Sequence, residues 1–415
     1  MKNKLLLLYL IFIPIISYAQ QNLTLEECYN LVVKNYPLAK QTQLLQLKSD
    51  HEIESLNISK LPKIDLNAQA TYQSDVIGFP IAIPGISPIN KDQYRATVDV
   101  NQLIYNGGMI EANATLKQAQ TKTQQQQVEV SLYQLKSRIN QYYFGILLLQ
   151  EKKSLLISKN KLLLSKVKEV QSGVKFGAIL PASELILEAE ILKIKQQITE
   201  IQFENTKMIQ NLSELTFTQF ELDIVLAQPQ FIHQSVVVRP EIIFYDLQNQ
   251  QIDLTKNTLV KSTRPKINAF GQGGYGNPGL NMLDNSFQPF FVIGVKANWN
   301  ILDWGKNKTD QKVLEISKAI IGTEKETFEL NNKMQLQEME SDMNKMKQLL
   351  QTDDEVIVIR EKILASANAQ MKNGVITTSE YLVEVTNLFE AKNSLKTHQV
   401  QMAAAKANVE LIKGR

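Results

Sequence analysis

The stretch LPKIDLNAQATY, residues 61–72, decides the fold because its pattern returns farther along the chain. From Lys63 to Tyr72, apolar and polar residues alternate without an error, as expected for a β-strand with one apolar and one polar face. The stretch RPKIN, residues 264–268, echoes the opening LPKID about 200 residues later. The chain is therefore predicted to contain two copies of one structural unit.

Each copy is predicted to contain a pair of strands. A second alternating strand covers residues 94–101, and in the other copy a glycine-rich strand is followed by an alternating strand over residues 291–301. Such strands suit a membrane-spanning wall that is apolar outside and polar inside. A soluble hairpin with one buried face has the same periodicity, but the export signal and the rest of the chain favour the membrane wall. The candidate polar lining carries five charged residues: Lys63, Asp65, Arg95, Asp99 and Lys296.

Long helices follow the strands. From residue 128 to 170 apolar residues recur at alternating spacings of four and three, interrupted only by Lys153 and Asn160, which predicts a supercoiled seam against a partner helix. Gly177 and Pro181 end this helix near residue 171, and a second helix shows the same spacing. The second copy repeats the arrangement, with a break at Gly374. Each copy is thus expected to form an antiparallel helical hairpin.

A shorter helix precedes the strands in each copy. Thr24 and Glu27 form a predicted capping box, from which one helix is expected to run unbroken to about Asn57. Pro240 stands at a favourable first-turn position of the corresponding helix in the second copy. Thr377 and Glu380, a second predicted capping box, open the last helix.

The amino terminus is typical of a secretory signal peptide. Lys2 and Lys4 precede an apolar run that ends at Ser17, and cleavage is expected after Ala19. A membrane anchor would need a run of about 20 apolar residues. The predicted organisation is a signal peptide at 1–19, a first strand-pair and helical-hairpin repeat at 20–235, and a second such repeat at 236–415.

Composition excludes several functions. The chain has 45 basic and 42 acidic residues, a balance that gives no indication of a nucleic-acid partner. The single cysteine, Cys28, excludes an internal disulfide. Its three histidines, His51, His233 and His398, stand in no metal-ligand spacing, and no nucleophile, phosphate-loop or CxxC motif is present. No catalytic residue, cofactor or metal is therefore expected, and the protein is not predicted to be an enzyme.

Four strands cannot close a barrel by themselves. Bacterial barrels made from one chain begin at about 8 strands, so other subunits must complete the wall, with two chains giving 8 strands and three giving 12. Helices with one apolar seam and polar flanks also need neighbours on both sides. The sequence therefore predicts an oligomer.

The doubled order of helix, strand, strand, long helix, turn and helix resembles the TolC family of outer-membrane efflux and secretion channels. Three matches carry the resemblance: LTLEE at 23–27, RPE at 239–241, and a glycine-containing turn before SEL at 183–185 or SEYL at 379–382. It covers essentially the whole mature chain. It implies an α+β membrane protein whose long antiparallel hairpins form a periplasmic α-barrel and whose four strands per chain contribute to a trimeric, 12-stranded transmembrane β-barrel.

The resemblance also implies a location and partners. The chain would be a homotrimer in the cell outer membrane, in contact with lipid and with a large periplasmic part. It would serve as the passive exit duct of a tripartite efflux pump or type I secretion system, opened at its periplasmic tip by an adaptor protein. The inner-membrane transporter, of RND, ABC or MFS type, and the cargo, whether drug, metal or protein, stay open.

The same resemblance places functional residues at the hairpin turns. The periplasmic tip that contacts the adaptor would contain Lys175, Gly177, Lys372 and Gly374. Glu184 and Glu380 would lie at the entrance constriction, where the family often has Asp. The alternative is that the four charged residues, the two lysines and the two glutamates, belong only to a capped helix start with solvated neighbours, since Glu is favourable in the first turn of a helix.

Two other classes of protein fit the sequence less well. A periplasmic adaptor, or membrane fusion protein, with a coiled-coil hairpin usually has one hairpin flanked by soluble β-domains, and the duplicated hairpins argue against it. A secreted enzyme is disfavoured because the sequence has no catalytic constellation.

Overall fold

The computed structural model describes residues 22–77, 89–229 and 238–414. The predicted signal peptide lies outside these residues, and so does most of the loop between the first two strands. No helix in the described part of the chain is both long and apolar enough to cross a membrane.

The predicted order of elements occurs twice. The first series is α1 (Leu25–Asn35), a 3₁₀ turn (Pro37–Ala39), α2 (Lys40–Ile58), β1 (Lys63–Tyr72), β2 (Asp92–Tyr105), α3 (Met109–Lys175) and α4 (Ala182–Thr216). The second series is α5 (Pro240–Ser262), β3 (Lys266–Asn277), β4 (Gln288–Asn298), α6 (Lys306–Lys372) and α7 (Thr378–Ile412). Helices α3 and α6 both have 67 residues, and α4 and α7 both have 35. The repeat boundaries at 20–235 and 236–415 stay a prediction.

The prediction of one unbroken first helix is wrong. Helix α1 ends at Asn35, and a 3₁₀ turn at Pro37–Ala39 separates it from α2. Proline disfavours the helical conformation of the residue before it, and Tyr36 is accordingly extended, with φ −62° and ψ 133°. The predicted capping boxes are both confirmed, since Thr24 and Glu27, and Thr377 and Glu380, exchange side-chain and backbone hydrogen bonds.

The strands differ from prediction at their ends. β1 has the predicted bounds, and β2 continues to Tyr105. The prediction that the last strand reaches Ile301 is wrong, because β4 ends at Asn298, opposite the first residue of β3. If the pairing continued, Ile301 would lie opposite Thr263, but Thr263 has helical backbone angles at the end of α5. Pro265, which precedes β3, has no N–H to donate to a neighbouring strand.

The chain forms two compact units, each drawing on both repeats. One contains residues up to 39, 132–237 and 332–415. Its core lies along the predicted seams, where Ile139 and Leu163 of α3 and Leu187 of α4 are fully buried. Toward the hairpin turns, residues from α3, α4, α6 and α7 share one apolar cluster, so the two hairpins pack together there.

The other compact unit contains residues 40–131 and 238–331. Its centre is a single antiparallel sheet with the strand order β1-β2-β3-β4. Three ion pairs connect α5 to α6, each at 2.8 Å: Asp253 with Lys318, Asp246 with Lys325, and Lys256 with Glu315. These contacts connect the helix that precedes β3 to the helix that follows β4.

Candidate functional site

One face of the sheet is apolar and uncovered. Residues directly opposite each other in neighbouring strands share a face, so the register assigns every side chain to one side. On the apolar side Leu66 is 78% exposed, Ile293 79% and Val295 71%. Large apolar side chains this exposed are rare on a soluble sheet, and a continuous patch of them marks a contact with lipid or another protein.

Aromatic side chains lie at both ends of this face. At the loop end, Tyr94 and Tyr275 stack on Phe287 with ring centroids 6.2 and 5.7 Å apart. At the other end, a β-bulge between Leu103 and Tyr105 brings Tyr105 opposite Ile267, on the apolar side. The ring of Trp299 is exposed there while its indole N–H donates to the carbonyl oxygen of Thr263 at 3.0 Å.

The opposite face is polar, and all five predicted lining charges lie on it. Asp99 accepts hydrogen bonds from Gln272 (2.5 Å), Asn67 (2.6 Å) and Thr97 (3.0 Å), which connect β1, β2 and β3. Lys63 pairs with Asp65 at 3.2 Å. A groove of about 650 Å³ runs over this face, and its polar lining comprises Asp99, Asn101, Asn268, Gln272, Lys296 and Asn298.

The two hairpin turns begin with the same backbone motif. Gly177 and Gly374 have left-handed φ values of 72° and 69° just past the ends of α3 and α6. The N–H groups of Gly177 and Ala178 donate back to the carbonyls of Val174 and Gly173, and the second turn repeats these bonds. These are Schellman motifs, in which glycine is favoured because it adopts a positive φ without strain. The predicted turns occur at these glycines, although α3 continues to Lys175, past its predicted end near residue 171. Their place at a periplasmic tip stays a prediction.

The two predicted tip lysines have different surroundings. Lys175 and Lys372 are each the last residue of a long helix, where a cation interacts favourably with the helix dipole. Lys372 also lies 3.7 Å from a carboxylate oxygen of Glu169, so it connects α6 to α3. The first turn offers apolar side chains as well, since Phe176 is 82% exposed.

Sequence reasoning missed a buried lysine beside the turns. The ammonium of Lys166 on α3 donates to Glu169 and to Asn368 of α6, both at 2.6 Å, and it lies 4.9 Å from the ring centre of Tyr381 on α7. Lys159, one heptad earlier, donates to Glu190 of α4 at 2.8 Å. The seven-residue spacing of these lysines beside the apolar seam is the signal that could have revealed them.

Glu184 and Glu380 are not equivalent. Glu380 accepts from both the N–H and the hydroxyl group of Thr377, and the backbone bond, followed by the side-chain bond, lowers the pKa of its carboxyl group. Glu184 instead accepts from the amide of Gln171 at 2.6 Å, in a helix whose start has no side-chain cap. Glu380 therefore stabilises the start of its helix, whereas Glu184 connects the start of α4 to the end of α3.

Within the described residues, no group of three or more His, Cys, Asp or Glu side chains could hold a metal ion. The arrangement therefore provides surfaces: an exposed apolar sheet face, a polar face behind it, and a cluster of paired hairpin turns.

The fold is similar to those of several solved outer-membrane proteins. CusC, whose crystal structures concern transmembrane channel formation, has a TM-score of 0.69 at 13% identity over 94% of this chain and 92% of that one. The Campylobacter jejuni CmeC outer membrane channel gives 0.65 at 15% identity, over 94% and 85%. The outer membrane protein VceC of Vibrio cholerae gives 0.67 at 13%, over 94% and 96%.

These likenesses show that this chain has the TolC-like fold of long antiparallel helical hairpins and four strands per chain, as the resemblance predicted. At such low identity they establish the fold alone. No protein-family model matches the sequence. The search of curated proteins also finds no match.

Proposed function

We propose that this protein is an outer-membrane channel subunit, the passive exit duct of a tripartite efflux pump or type I secretion system. The observation that carries the proposal is the two-faced sheet, with exposed apolar side chains on one side and a hydrogen-bonded polar layer on the other. A sheet in a membrane needs this division, because lipid contacts one face and water the other.

The dimensions of the apolar face agree with a membrane-spanning sheet. From Tyr94 to Tyr105, β2 advances about 37 Å at about 3.4 Å per residue. A strand tilted by about 45° then covers about 26 Å of membrane, close to the roughly 25 Å apolar band that aromatic girdles flank in such proteins. Tyr94 and Tyr105 stand at the two aromatic ends of this face.

Two features support a trimer. β1 and β4 end the sheet, and each has one strand partner among the described residues, so each offers an open edge to a neighbouring chain. The predicted seam of α6, which includes Leu336, Met343 and Leu350, is only partly buried within one chain. Three chains would supply 12 strands and cover both open edges, as the fold class implies.

A labelling experiment tests the placement of the sheet. Ala68→Cys and Gln69→Cys place adjacent thiols on opposite faces of β1, and both positions are exposed in the chain. In intact outer membranes, a water-soluble maleimide is expected to label the cysteine at 69 and to leave the one at 68 unlabelled, because lipid covers that face. Equal labelling would contradict the proposal.

The native cysteine does not disturb this assay. Cys28 is fully buried, and this burial raises the pKa of its thiol to about 12. Because the thiolate is the reactive form, Cys28 should stay unlabelled at neutral pH, and the unmodified protein is the matched control. After denaturation all three proteins should react.

We further propose that the hairpin turns, with Lys175, Gly177, Lys372 and Gly374, contact a periplasmic adaptor, and that Glu184 and Glu380 face the entrance. Glu184→Gln and Glu380→Gln together are expected to weaken block of the channel by cations added on the periplasmic side. Glutamine keeps an oxygen that can accept the capping-box bonds at 380 and the bond from Gln171 at 184, so the double variant removes charge and preserves these contacts. Identical block in the two proteins would show that these carboxylates serve only as helix starts.

A further inference from the structure

Arg95 on the polar face is stacked on an aromatic ring two strands away. Its guanidinium carbon lies 5.2 Å from the ring centre of Phe290, within the range of a cation–π contact. Arg95 belongs to β2 and Phe290 to β4, and between them β3 presents Gly276 opposite Arg95 and Gly274 opposite Phe290. The two side chains meet because β3 has no side chain at either position.

Gly274 leaves room for the Phe290 ring against the backbone of the sheet. A Cβ atom built on Gly274 would lie 2.7 Å from Cζ of Phe290 and 2.7 Å from the carbonyl oxygen of Ala96. Such distances are too short for any residue larger than glycine. Phe290 is consequently only 9% exposed, whereas its neighbour Phe291, on the apolar face, is 74% exposed. The tip of the ring therefore occupies the space that a side chain at 274 would fill, and the guanidinium of Arg95 lies over the ring.

The guanidinium of Arg95 has no ion-pair partner among the described residues. In contrast, Lys63 on the same face is paired with Asp65. The carboxylate on the same face of β2, that of Asp99, accepts hydrogen bonds from three neutral groups, those of Gln272, Asn67 and Thr97. Guanidinium stays charged at all physiological pH values and offers paired N–H donors to a carboxylate or phosphate.

We propose that Arg95, positioned by Phe290 and Gly274, is a contact site for anionic groups on permeating solutes, namely carboxylates and phosphates. The inference rests on the proposed channel function, because it requires the polar face to line the path of the solute. Arg95 supplies the charge, and the other two residues position it. In a trimer, three such guanidinium groups would favour anions at one level of the path.

Ion selectivity tests this assignment. With the purified channel in a planar bilayer under a KCl gradient, Arg95→Gln is expected to raise the permeability of potassium relative to chloride on the order of twofold. Inorganic phosphate added to the bath should reduce chloride current in the unmodified protein and have less effect in Arg95→Gln. Gly274→Ala should shift selectivity in the same direction, because the added methyl group displaces the ring.

Gly273→Ala is the matched control, since a Cβ there, on the opposite face, meets nothing within 4 Å. It should keep the selectivity of the unmodified protein. A conducting Arg95→Gln channel with unchanged reversal potential and unchanged phosphate effect would overturn this inference alone. Absence of conductance in the unmodified protein would overturn the proposed function and this inference with it.

Discussion

Replacement of Ile293 by arginine is expected to abolish assembly in the outer membrane. Ile293 lies in the middle of β4 on the apolar face, and 79% of it is exposed in the single chain. If lipid surrounds it, an arginine near the bilayer midplane costs about 2–4 kcal/mol in each chain. A trimer would contain three such substitutions. The amount of protein recovered in the outer-membrane fraction measures the effect.

The adjacent residue provides the control. Val292 lies on the polar face, opposite Gln272, and lines the groove. Val292→Arg adds the same side chain one position away, where water would solvate it, and normal assembly is expected. Equal recovery of the two variants would mean that lipid does not cover the apolar face.

Replacement of Leu187 by alanine is expected to lower the free energy of unfolding by about 2–5 kcal/mol, the usual cost of deleting a large buried side chain. Leu187 is fully buried in the cluster that joins both hairpins near their turns. Its loss leaves a cavity among helices α3, α4, α6 and α7. Thermal or urea unfolding followed by circular dichroism measures the change.

Lys193 on the same helix is exposed and serves as the control. Lys193→Ala should change the free energy of unfolding by less than about 0.5 kcal/mol, as most surface substitutions do. A Leu187→Ala protein as stable as Lys193→Ala would show that the four helices do not share this core in solution.

Much of the fold was predictable because its signals are local. The alternation from Lys63 to Tyr72 gave β1 its observed bounds, and the glycines at 177 and 374 marked both turns correctly. The break at Pro37 was also a local signal, because proline disfavours the helical conformation of the residue before it, but the prediction of one unbroken helix did not use it. The early end of β4 depends on where α5 stops, which a strand's own sequence does not show.

Contacts between distant residues were not predictable. The placement of Arg95 over Phe290 depends on the register of three strands and on glycines in the middle one. The bonds from Lys166 to Asn368 and from Lys372 to Glu169 depend on how the two hairpins pack. One sequence contains no direct signal for such pairings, even though each residue type is visible in it.

The two hairpin turns are alike at their start and different at their end. Both long helices end in the same glycine motif, but the first loop, 176–181, is one residue longer than the second, 373–377. The helix after the second loop has a full capping box, and the helix after the first has no side-chain cap. The one-residue difference can be read from the sequence, in which Gly177 precedes Glu184 by seven residues and Gly374 precedes Glu380 by six. The structure adds that the two helix starts are stabilised differently.

Single-channel recording tests the central claim most directly. Purified, detergent-extracted protein inserted into a planar lipid bilayer is expected to give discrete conductance steps, each from one trimer whose polar sheet faces line a water-filled path. Trimeric protein that inserts into the bilayer and produces no conductance would contradict the account that this chain is a channel subunit.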